Sequence, residues 1–462
     1  MEQVKENKMG TMPVGKLLFS ISIPIIISML VQALYNIVDS IFVARFDADA
    51  GTGALTVAFP IQNLLIAVAV GLAVGTSALL SRYLGEKKMN KVNVVAGQGF
   101  FLMGCGYILF LIFGLFLTKG FVGMQVPAED VLRTEYAEEY ISIISIFSFG
   151  VFIQIICERL LQSTGRSILS MITQGAGAIV NIILDPIMIF GYLGCPAMGV
   201  KGAAIATVIG QFVSAALGIF FNLKYNPEVK ILIKNFIPKF DVIKEILAIG
   251  IPAALMQAIG SVMTFSMNII LAGFSGIAVN VFGVYFRLQS FVFMPIFGFN
   301  NGLIPIMAYN YGAQKKERVY AALKLGLITA IGYMLLGLLV FQTVPGTLLS
   351  LFNASEEMLL LGKRALRTIS LSFVFAGFSV ISISVCQALG KSIYSLFVSV
   401  GRQLVVLIPA AYLLSLIGEV KYVWWAFPIA EIMSLILCSF FLIRVLKKAF
   451  GEKKQMEELS NE

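Results

Sequence analysis

The stretch Gln162–Ser170, QSTGRSILS, recurs further along the chain as QALGKSIYS at Gln387–Ser395. Both copies follow the pattern Q-x-x-G-[RK]-S-I-x-S, and both join two long apolar segments. Two more pairs of segments match at nearly the same offset and in the same order: 22–46 with 250–274, and 84–92 with 311–319. A membrane protein that repeats itself in order is built from two similar halves.

Each half consists mainly of apolar segments. The chain is 58% hydrophobic and only 13% charged, with a mean hydropathy of +0.91, whereas soluble domains carry roughly 25% charged residues. Twelve apolar runs are long enough to cross a hydrocarbon core of about 30 Å. They lie near 15–40, 54–80, 93–118, 137–159, 167–192, 200–222, 243–273, 277–307, 321–342, 364–388, 392–417 and 422–446. The sequence therefore predicts an all-α integral membrane protein with twelve transmembrane helices.

A long basic segment, 224–244, divides the predicted spans six and six. Because six spans return the chain to the same side of the membrane, the halves are expected to be parallel repeats, related by a pseudo-twofold axis along the membrane normal and facing a central cavity. The predicted division is an N-terminal lobe at 1–223, a cytoplasmic linker at 224–243, a C-terminal lobe at 244–447 and a cytoplasmic polar tail at 448–462.

The net charge of +9 follows the topology of the chain. Most of the 34 Lys and Arg residues lie at the two termini and in the even-numbered loops, which places both termini in the cytoplasm by the positive-inside rule. The basic clusters are explained by this rule and by contact with anionic lipids. We expect a multi-pass protein of the cell (inner or plasma) membrane, with membrane lipids and no nucleic acid as partners.

The chain lacks several groups that enzymes and metalloproteins commonly use. It has no histidine, and its five cysteines lie singly, so neither a disulfide framework nor a structural zinc site is indicated. The phosphate-binding pattern G-x-x-x-x-G-K-[ST] is absent, so ATP is not an expected partner. The sequence predicts no enzyme, no cofactor and no metal centre, and leaves proton chemistry in the membrane to carboxylates.

Carboxylates occur inside two apolar spans of the first half. Asp39 in the first span shares a helical face with three polar side chains, Gln32, Tyr35 and Asn36. In the fifth span, the stretch VNIILDPIMIF places Asn181 and Asp185 one turn apart. An ionised carboxylate at the bilayer centre costs about 3 kcal/mol, so such residues normally face the bundle interior or water. They are candidates for binding a proton and a cation in competition. The alternative is that they only hydrogen-bond neighbouring helices.

The second half does without these carboxylates. The repeat aligns Asp39 with Met267, and it aligns Asn181 and Asp185 with Val406 and Ala410. If the fold required the carboxylates, the second half should have retained them. The asymmetry therefore favours a functional role in the first half.

Five motifs are distinctive: IPIIISMLVQALYNIVDSIFVAR at 23–45, GTSALLSRYLGEKK at 75–88, QSTGRS at 162–167, GVKGAAIATVIGQ at 199–211 and FRLQSFVFMPIFGFNNGLIPIMAYNYGAQKKERV at 286–319. Together they resemble the multidrug and toxic compound extrusion (MATE) family, over nearly the whole chain. The resemblance implies export of organic cations by alternating access, coupled to inward movement of protons or sodium ions through cavity carboxylates.

The carboxylates resemble one branch of that family, MepA-like or DinF-like, in which coupling residues lie in the N-terminal lobe. Its Asp on the first span and its Asn and Asp on the fifth match Asp39, Asn181 and Asp185. A second branch, with a Glu on the seventh span and an Asp on the tenth, is not matched. The resemblance favours the proton as coupling ion, while the same oxygens could hold Na⁺. Pro24 and Pro186 are expected to be hinges, with static kinks as the alternative.

Polar, methionine and aromatic side chains are expected to line a cavity for flat cations. The candidates are Gln32, Tyr35, Asn36, Gln62, Gln154, Gln174, Gln211, Met256, Gln257, Met263, Met267, Phe291 and Glu431. For any one of them, helix packing is the simpler interpretation, and Glu431 in particular is expected to hold helices together. Arg287 and Arg402 are expected to pair with carboxylates or carbonyls, and Glu158 with Arg159 to form an ion pair or gate.

The expected function is a bacterial multidrug efflux antiporter that confers antibiotic resistance by exporting amphipathic cationic drugs or dyes against a proton flux. Three alternatives remain open: Na⁺-coupled antiport at the same site, a flippase for lipids or lipid-linked substrates, and a receptor or scaffold without transport. An anionic flippase cargo would call for several basic cavity residues, of which the sequence offers only Arg287.

Overall fold

A computed structural model describes residues 7–127, 129–352 and 355–460, and the side chains up to Gly451. These residues form helices joined by short loops, and none of them is in a β-strand. Ten helices are long and apolar enough to cross a membrane, and two further pairs, bent by 47° and 45°, pass the same test together. Counting each bent pair as one span gives twelve spans, as predicted.

We number the spans α1 to α12 in chain order. They are α1 Val14–Phe46, α2 Ala50–Gly85, α3 Met89–Gly123, α4 Val131–Ile146 with Phe149–Ser163, α5 Ser167–Phe190, α6 Gly199–Tyr225, α7 Phe240–Ala272, α8 Gly276–Gly312, α9 Lys316–Thr343, α10 Glu356–Ser370 with Phe373–Ala388, α11 Ser392–Ser415 and α12 Val420–Gly451. The bends in α4 and α10 lie at equivalent places of the repeat, just before Phe149 and Phe373.

Each set of six spans has the same internal packing. In the first set, α5 packs on α1 and α6, and α4 packs on α2 and α6. In the second set, α11 packs on α7 and α12, and α10 packs on α8 and α12. The two sets are therefore two lobes of the same architecture, as the repeat predicts.

The lobes meet through α2 with α7, α1 with α8, and α2 with α8. This set of contacts is unchanged when the lobes are exchanged, as a pseudo-twofold axis between them requires. Glycines make the approach close: a Cβ on Gly71 would lie 2.6 Å from the Ala254 side chain, and one on Gly298 would lie 2.8 Å from the Ile26 Cα. All these positions lie in the half of each helix nearer the chain termini, which we call the terminus end.

Nearer the opposite end, side chains on the facing surfaces of the lobes become exposed, although the Asn63 amide of α2 still donates to the Ser261 hydroxyl of α7 at 2.7 Å. Residues seven positions along a helix lie on nearly the same face, two turns away. Leu64, Gln257 and Phe291 lie seven residues from Gly71, Gly250 and Gly298, respectively, toward the end opposite to the termini. All three are exposed. The structure thus contains a cleft between the lobes that is closed at the terminus end and is crossed nearer the other end by the hydrogen bond between Asn63 and Ser261.

A short helix, Lys8–Thr11, precedes α1 and lies between the lobes at the terminus end. On its first-lobe side, the Asn7 amide donates hydrogen bonds to the Thr164 carbonyl and to Glu228. On its second-lobe side, Arg318 donates to the carbonyls of Met9 and Met12. This segment therefore bridges the two lobes where they are closed.

Candidate functional site

The three predicted ion-coupling residues come together inside the first lobe. Asp39 lies on α1, and Asn181 and Asp185 lie on α5, which packs against α1. Their exposed fractions are 8%, 2% and 0%, respectively. The two carboxyl groups are close enough to interact electrostatically. Two acids and an amide thus share one buried site.

Hydrogen bonding leaves part of this site unsatisfied. The Asn181 amide donates to Asp185 Oδ1 at 3.2 Å and to Thr207 Oγ1 of α6 at 3.4 Å. One oxygen of each of the three residues is buried without a hydrogen-bond partner in the described part of the chain: Asp39 Oδ1, Asn181 Oδ1 and Asp185 Oδ2. An unpaired buried acceptor costs roughly 1–3 kcal/mol, so the site is suited to receiving a proton or a hard cation.

More polar side chains surround these acids within the first lobe. The Gln174 amide of α5 donates to Gln32 Oε1 of α1 at 3.0 Å, and half-buried Tyr35 follows Gln32 by one turn. The Gln62 amide of α2 donates to the Tyr140 hydroxyl at 2.9 Å. The interior of the first lobe is therefore lined with groups that can carry hydrogen bonds.

Tyr140 and Thr207 were not among the candidates that the sequence provided. Tyr140 is 2% exposed and interacts electrostatically with Asp39 and Asp185. Thr207 precedes Gln211 by four residues on α6, so a polar face of that helix was the available signal.

A third carboxylate, Glu158, lies on α4 and is 8% exposed. The Gln154 amide donates to Glu158 Oε1 at 3.0 Å, and Arg159 instead donates to Gln162 Oε1 at 3.2 Å. No ion pair joins Glu158 to Arg159 in the described residues. Adjacent residues on a helix point in different directions, which accounts for the missing pair.

Several predicted cavity residues lie elsewhere. Met263 and Met267 of α7 are 9% and 0% exposed and belong to a hydrophobic core that extends through both lobes. Met256 and Gln211 are half-buried, whereas Asn36 and Phe291 are exposed. Of this group, Phe291 faces the cleft, because it lies two turns from Gly298 on the face of α8 that contacts α1.

Glu431 of α12 is paired rather than free. Arg402 of α11 donates to Glu431 Oε1 at 2.8 Å within the second lobe. The pair supplies Arg402 with the carboxylate partner expected for it, and it joins two helices.

Arg287 has a different environment from the one expected. Its side chain is exposed, and it makes no hydrogen bond or ion pair within the described residues. It precedes Gly298 by eleven residues, which is three turns of α8, so it lies on the face that contacts α1 and opens into the cleft. Water in an open cleft accounts for an unpaired arginine within a membrane span.

The two prolines expected to be hinges lie inside unbroken helices. Pro24 is buried within α1, and Pro186 is half-buried within α5, directly after Asp185. Asp39, Asn181 and Asp185 thus form one buried polar site in the first lobe. Arg287 and Phe291 lie on the opposite wall of the cleft. In the described residues, no cluster of three or more His, Cys, Asp or Glu side chains could hold a metal ion.

Comparison with known proteins bears on both lobes. A family model described as MatE matches residues 24–187 and 252–413, one segment in each lobe. The multidrug export protein MepA of Staphylococcus haemolyticus is 24% identical over 444 residues, covering 96% of both chains. MepA of Staphylococcus aureus is 26% identical over 421 residues, covering 91% of both chains.

The fold has close counterparts among solved structures. An outward-facing structure of a multidrug resistance MATE family transporter of the MOP superfamily superimposes with a TM-score of 0.89 and 25% sequence identity, covering 97% of this chain and all of the other. The two-lobe fold is thereby confirmed. Because the family model matches most of both lobes, the chain belongs to the MatE family of membrane transporters.

Proposed function

We propose that this protein exports amphipathic organic cations by alternating access and that inward proton flux through Asp39 and Asp185 drives the export. The observation that carries the proposal is the buried site in which both carboxyl groups and Asn181 keep an oxygen without a hydrogen-bond donor. The names of the relatives, multidrug export proteins, support the same class of activity.

The chemistry of the site suits exchange of a proton for a cation. Two carboxylates in one buried site repel each other when both are ionised, and a proton bound by either removes that repulsion. A bound organic cation would do the same, so the two compete. The Asn181 amide hydrogen-bonds Asp185 Oδ1 and thereby orients the carboxyl group.

Closure at the terminus end fits the release half of such a cycle. In this conformation the cleft opens at the end opposite to the termini. With both termini in the cytoplasm of a bacterial cell, the cleft would open outside the inner membrane and release drugs or dyes there. The two lobes, 1–223 and 244–447, would then rock about their shared axis to expose the site on the other side.

Sodium is the second candidate for the coupling ion. The Asp39 and Asp185 carboxylates and the Asn181 amide oxygen are hard ligands of the kind that Na⁺ prefers, with the Thr207 hydroxyl close to Asn181. An antiporter driven by Na⁺ would use the same residues and differ only in the gradient that drives it.

The test is transport in liposomes that contain the purified protein. We expect uptake of a fluorescent cation to follow an imposed proton gradient and to be lost in Asp39→Asn and Asp185→Asn. Asp241→Asn is the matched control, because Asp241 is exposed at the start of α7 and undergoes the same chemical change. Uptake that follows a sodium gradient but not a proton gradient would identify Na⁺ as the coupling ion. Wild-type uptake that ignores both gradients, or wild-type activity in both Asp variants, would overturn the proposal.

A further inference from the structure

A pocket lies in the second lobe, at the end farthest from the chain termini and apart from the proposed transport site. Its walls come from the loop after α7, the first half of α10 and the start of α12. Its volume is about 330 Å³, which is within the range of small-molecule binding sites. The residues that matter for recognition are Phe274, Leu360, Arg364, Glu419, Lys421 and Trp424.

Trp424 supplies an unused hydrogen-bond donor. The side chain is 0% exposed and lines the pocket, yet its indole Nε1 has no hydrogen-bond partner in the described part of the chain. A buried indole N–H group normally has an acceptor, because leaving it unpaired in apolar surroundings is unfavourable. The indole N–H group is thus a free donor on a residue that borders the pocket, within reach of a ligand that displaces the groups covering it.

The charged groups of the pocket are predominantly basic. The Arg364 guanidinium lies on its wall, is exposed, and makes no hydrogen bond or ion pair with any described residue. Lys421 is paired with Glu419 at 2.5 Å, so these two charges offset each other. Arg364 consequently leaves the pocket with a net positive charge and a planar set of free donors.

The remaining wall is apolar. Phe274, Leu360 and Leu361 line it, and the Leu360 side chain is 68% exposed although it is a large aliphatic group. An apolar wall beside an arginine and an orphan N–H donor fits a ligand with an anionic group and an apolar part.

We propose that this pocket binds the anionic headgroup of an amphiphile, a phosphate or a carboxylate, through the Arg364 guanidinium and the Trp424 N–H group. Arginine binds such groups with two parallel, charge-assisted hydrogen bonds. The apolar part of the amphiphile lies against Phe274, Leu360 and Leu361. The same phosphate chemistry could be supplied by a membrane phospholipid or by free phosphate.

Tryptophan fluorescence can report binding directly, because the chain has only two tryptophans and both are here, Trp424 and Trp425. In the full-length Trp425→Phe variant, purified in detergent, Trp424 is the sole tryptophan and can be excited selectively over the tyrosines. We expect dihexanoyl phosphatidylglycerol to change its emission with saturation, and dihexanoyl phosphatidylcholine, which is zwitterionic, to have a much smaller effect. Saturation by inorganic phosphate as well would identify the free anion as sufficient. Binding of the lipid alone would identify the phospholipid.

Charge-matched variants separate the pocket from general attraction to a basic surface. Arg364→Gln should weaken phosphatidylglycerol binding about tenfold, since hydrogen bonds to charged groups are lost. Lys363→Gln removes the same charge from the neighbouring exposed position, outside the pocket lining, and should leave the affinity unchanged. Trp424→Phe keeps an aromatic ring but removes the N–H donor, and should reduce retention of phosphatidylglycerol in native mass spectrometry.

The proposal fails if neither phosphatidylglycerol nor phosphate saturates the fluorescence signal, if phosphatidylcholine binds equally well, or if Lys363→Gln weakens binding as much as Arg364→Gln.

Discussion

The polar chemistry of the membrane interior is divided unequally between the lobes. The first lobe holds Asp39 and Asp185 with buried acceptor oxygens that lack donors, and the aligned positions of the second lobe hold Met267 and Ala410. The half-buried acid of the second lobe, Glu431, is paired with Arg402 through Oε1, although its Oε2 also has no hydrogen-bond partner in the described residues. An ion that needs an unpaired carboxylate therefore finds it in the first lobe, while the second lobe contributes the other wall of the cleft.

Arg287 on that wall should oppose the binding of cations. Replacing it in Arg287→Gln removes one positive charge from the cleft, an effect of about 1 kcal/mol at short range in a watery environment. We expect the concentration for half-maximal transport of a permanently cationic dye to fall by roughly two- to fivefold, and the difference to shrink in 1 M salt, where the screening length is about 3 Å.

Arg444→Gln provides the control for this measurement, because Arg444 is exposed near the terminus end of α12, away from the cleft mouth. An unchanged half-maximal concentration in Arg287→Gln, at low salt, would mean that Arg287 does not face the transported cation.

The Arg402 and Glu431 pair should contribute to stability rather than to ion coupling. The side chains are only 21% and 12% exposed, so Glu431→Gln leaves a poorly solvated arginine without its carboxylate. We expect a loss of about 3 kcal/mol in the free energy of unfolding, measured by thermal unfolding in detergent, with gradient-driven transport retained. The double replacement Arg402→Gln and Glu431→Gln should recover most of that loss. Wild-type stability combined with lost coupling in Glu431→Gln would instead assign Glu431 to the ion pathway.

At the residue scale, the sequence identified the acids but not all of their neighbours. Asp39 and Asp185 were predictable because an ionisable group in an apolar run requires a reason. Thr207 and Tyr140 are common residues in helices and carry no such signal. Met263 and Met267 could not be assigned to a face from the sequence, since α7 is apolar on nearly all sides, and the structure places both in the hydrophobic core.

Among the elements, the contact between α2 and α7 determines how closely the lobes approach. A Cβ on Gly71 would lie 2.7 Å from the Gly250 carbonyl oxygen, and a Cβ on Gly75 would overlap the Ile246 carbonyl oxygen. Only glycine leaves room for the two backbones at these positions. Small residues at helix contacts are the usual means of close packing in membranes.

Gly75→Ala should force α2 and α7 apart. Since the added methyl group would meet backbone rather than a flexible side chain, we expect a loss of about 1–3 kcal/mol in the free energy of unfolding, seen as a lower thermal unfolding temperature, together with reduced transport. Gly104→Ala in α3 is the matched control, because no heavy atom lies within 4 Å of its Cβ position. It should be neutral or slightly stabilising. Equal melting temperatures for the two variants would show that the contact can relax without loss.

The boundaries of the elements were less predictable than their number. The fourth span was predicted near 137–159, whereas α4 begins at Val131 and includes the acidic residues before position 137 as a solvated helix start. Hydropathy measures what can lie in lipid, whereas a helix continues beyond the membrane as long as its backbone bonds are made. The bends in α4 and α10 were likewise unpredicted, because no proline marks them.

For the whole molecule, the segments that lead into each lobe cross to the other lobe. The segment before α1 receives hydrogen bonds from Arg318, which lies in the second lobe at the start of α9. The segment before α7 receives them from Gln98 of α3, whose amide donates to the carbonyls of Asn235 and Ile237 at 2.6 and 2.8 Å. The pseudo-twofold symmetry thus extends to a pair of crossing segments, both located at the terminus end, where the lobes are in contact.

Breaking either crossing segment should favour opening at the terminus end, because each of them links lobes that must separate there. We expect Arg318→Met and Gln98→Leu each to remove about 1.5 kcal/mol from the closed conformation, which raises the population open at that end roughly tenfold. The measurement is the distance between spin labels at Asn90→Cys and Lys316→Cys, two exposed sites on different lobes, in a background that carries Cys105→Ser and Cys195→Ser. Gln342→Leu is the matched control for Gln98→Leu, since the Gln342 amide also makes two hydrogen bonds, to Arg367 and Ser370, but within the second lobe and away from the terminus end.

A longer distance in both test variants but not in the control would identify the crossing segments as part of what holds the terminus end closed. Distances that match the wild type in all three variants would show that the glycine contacts between α2 and α7 suffice.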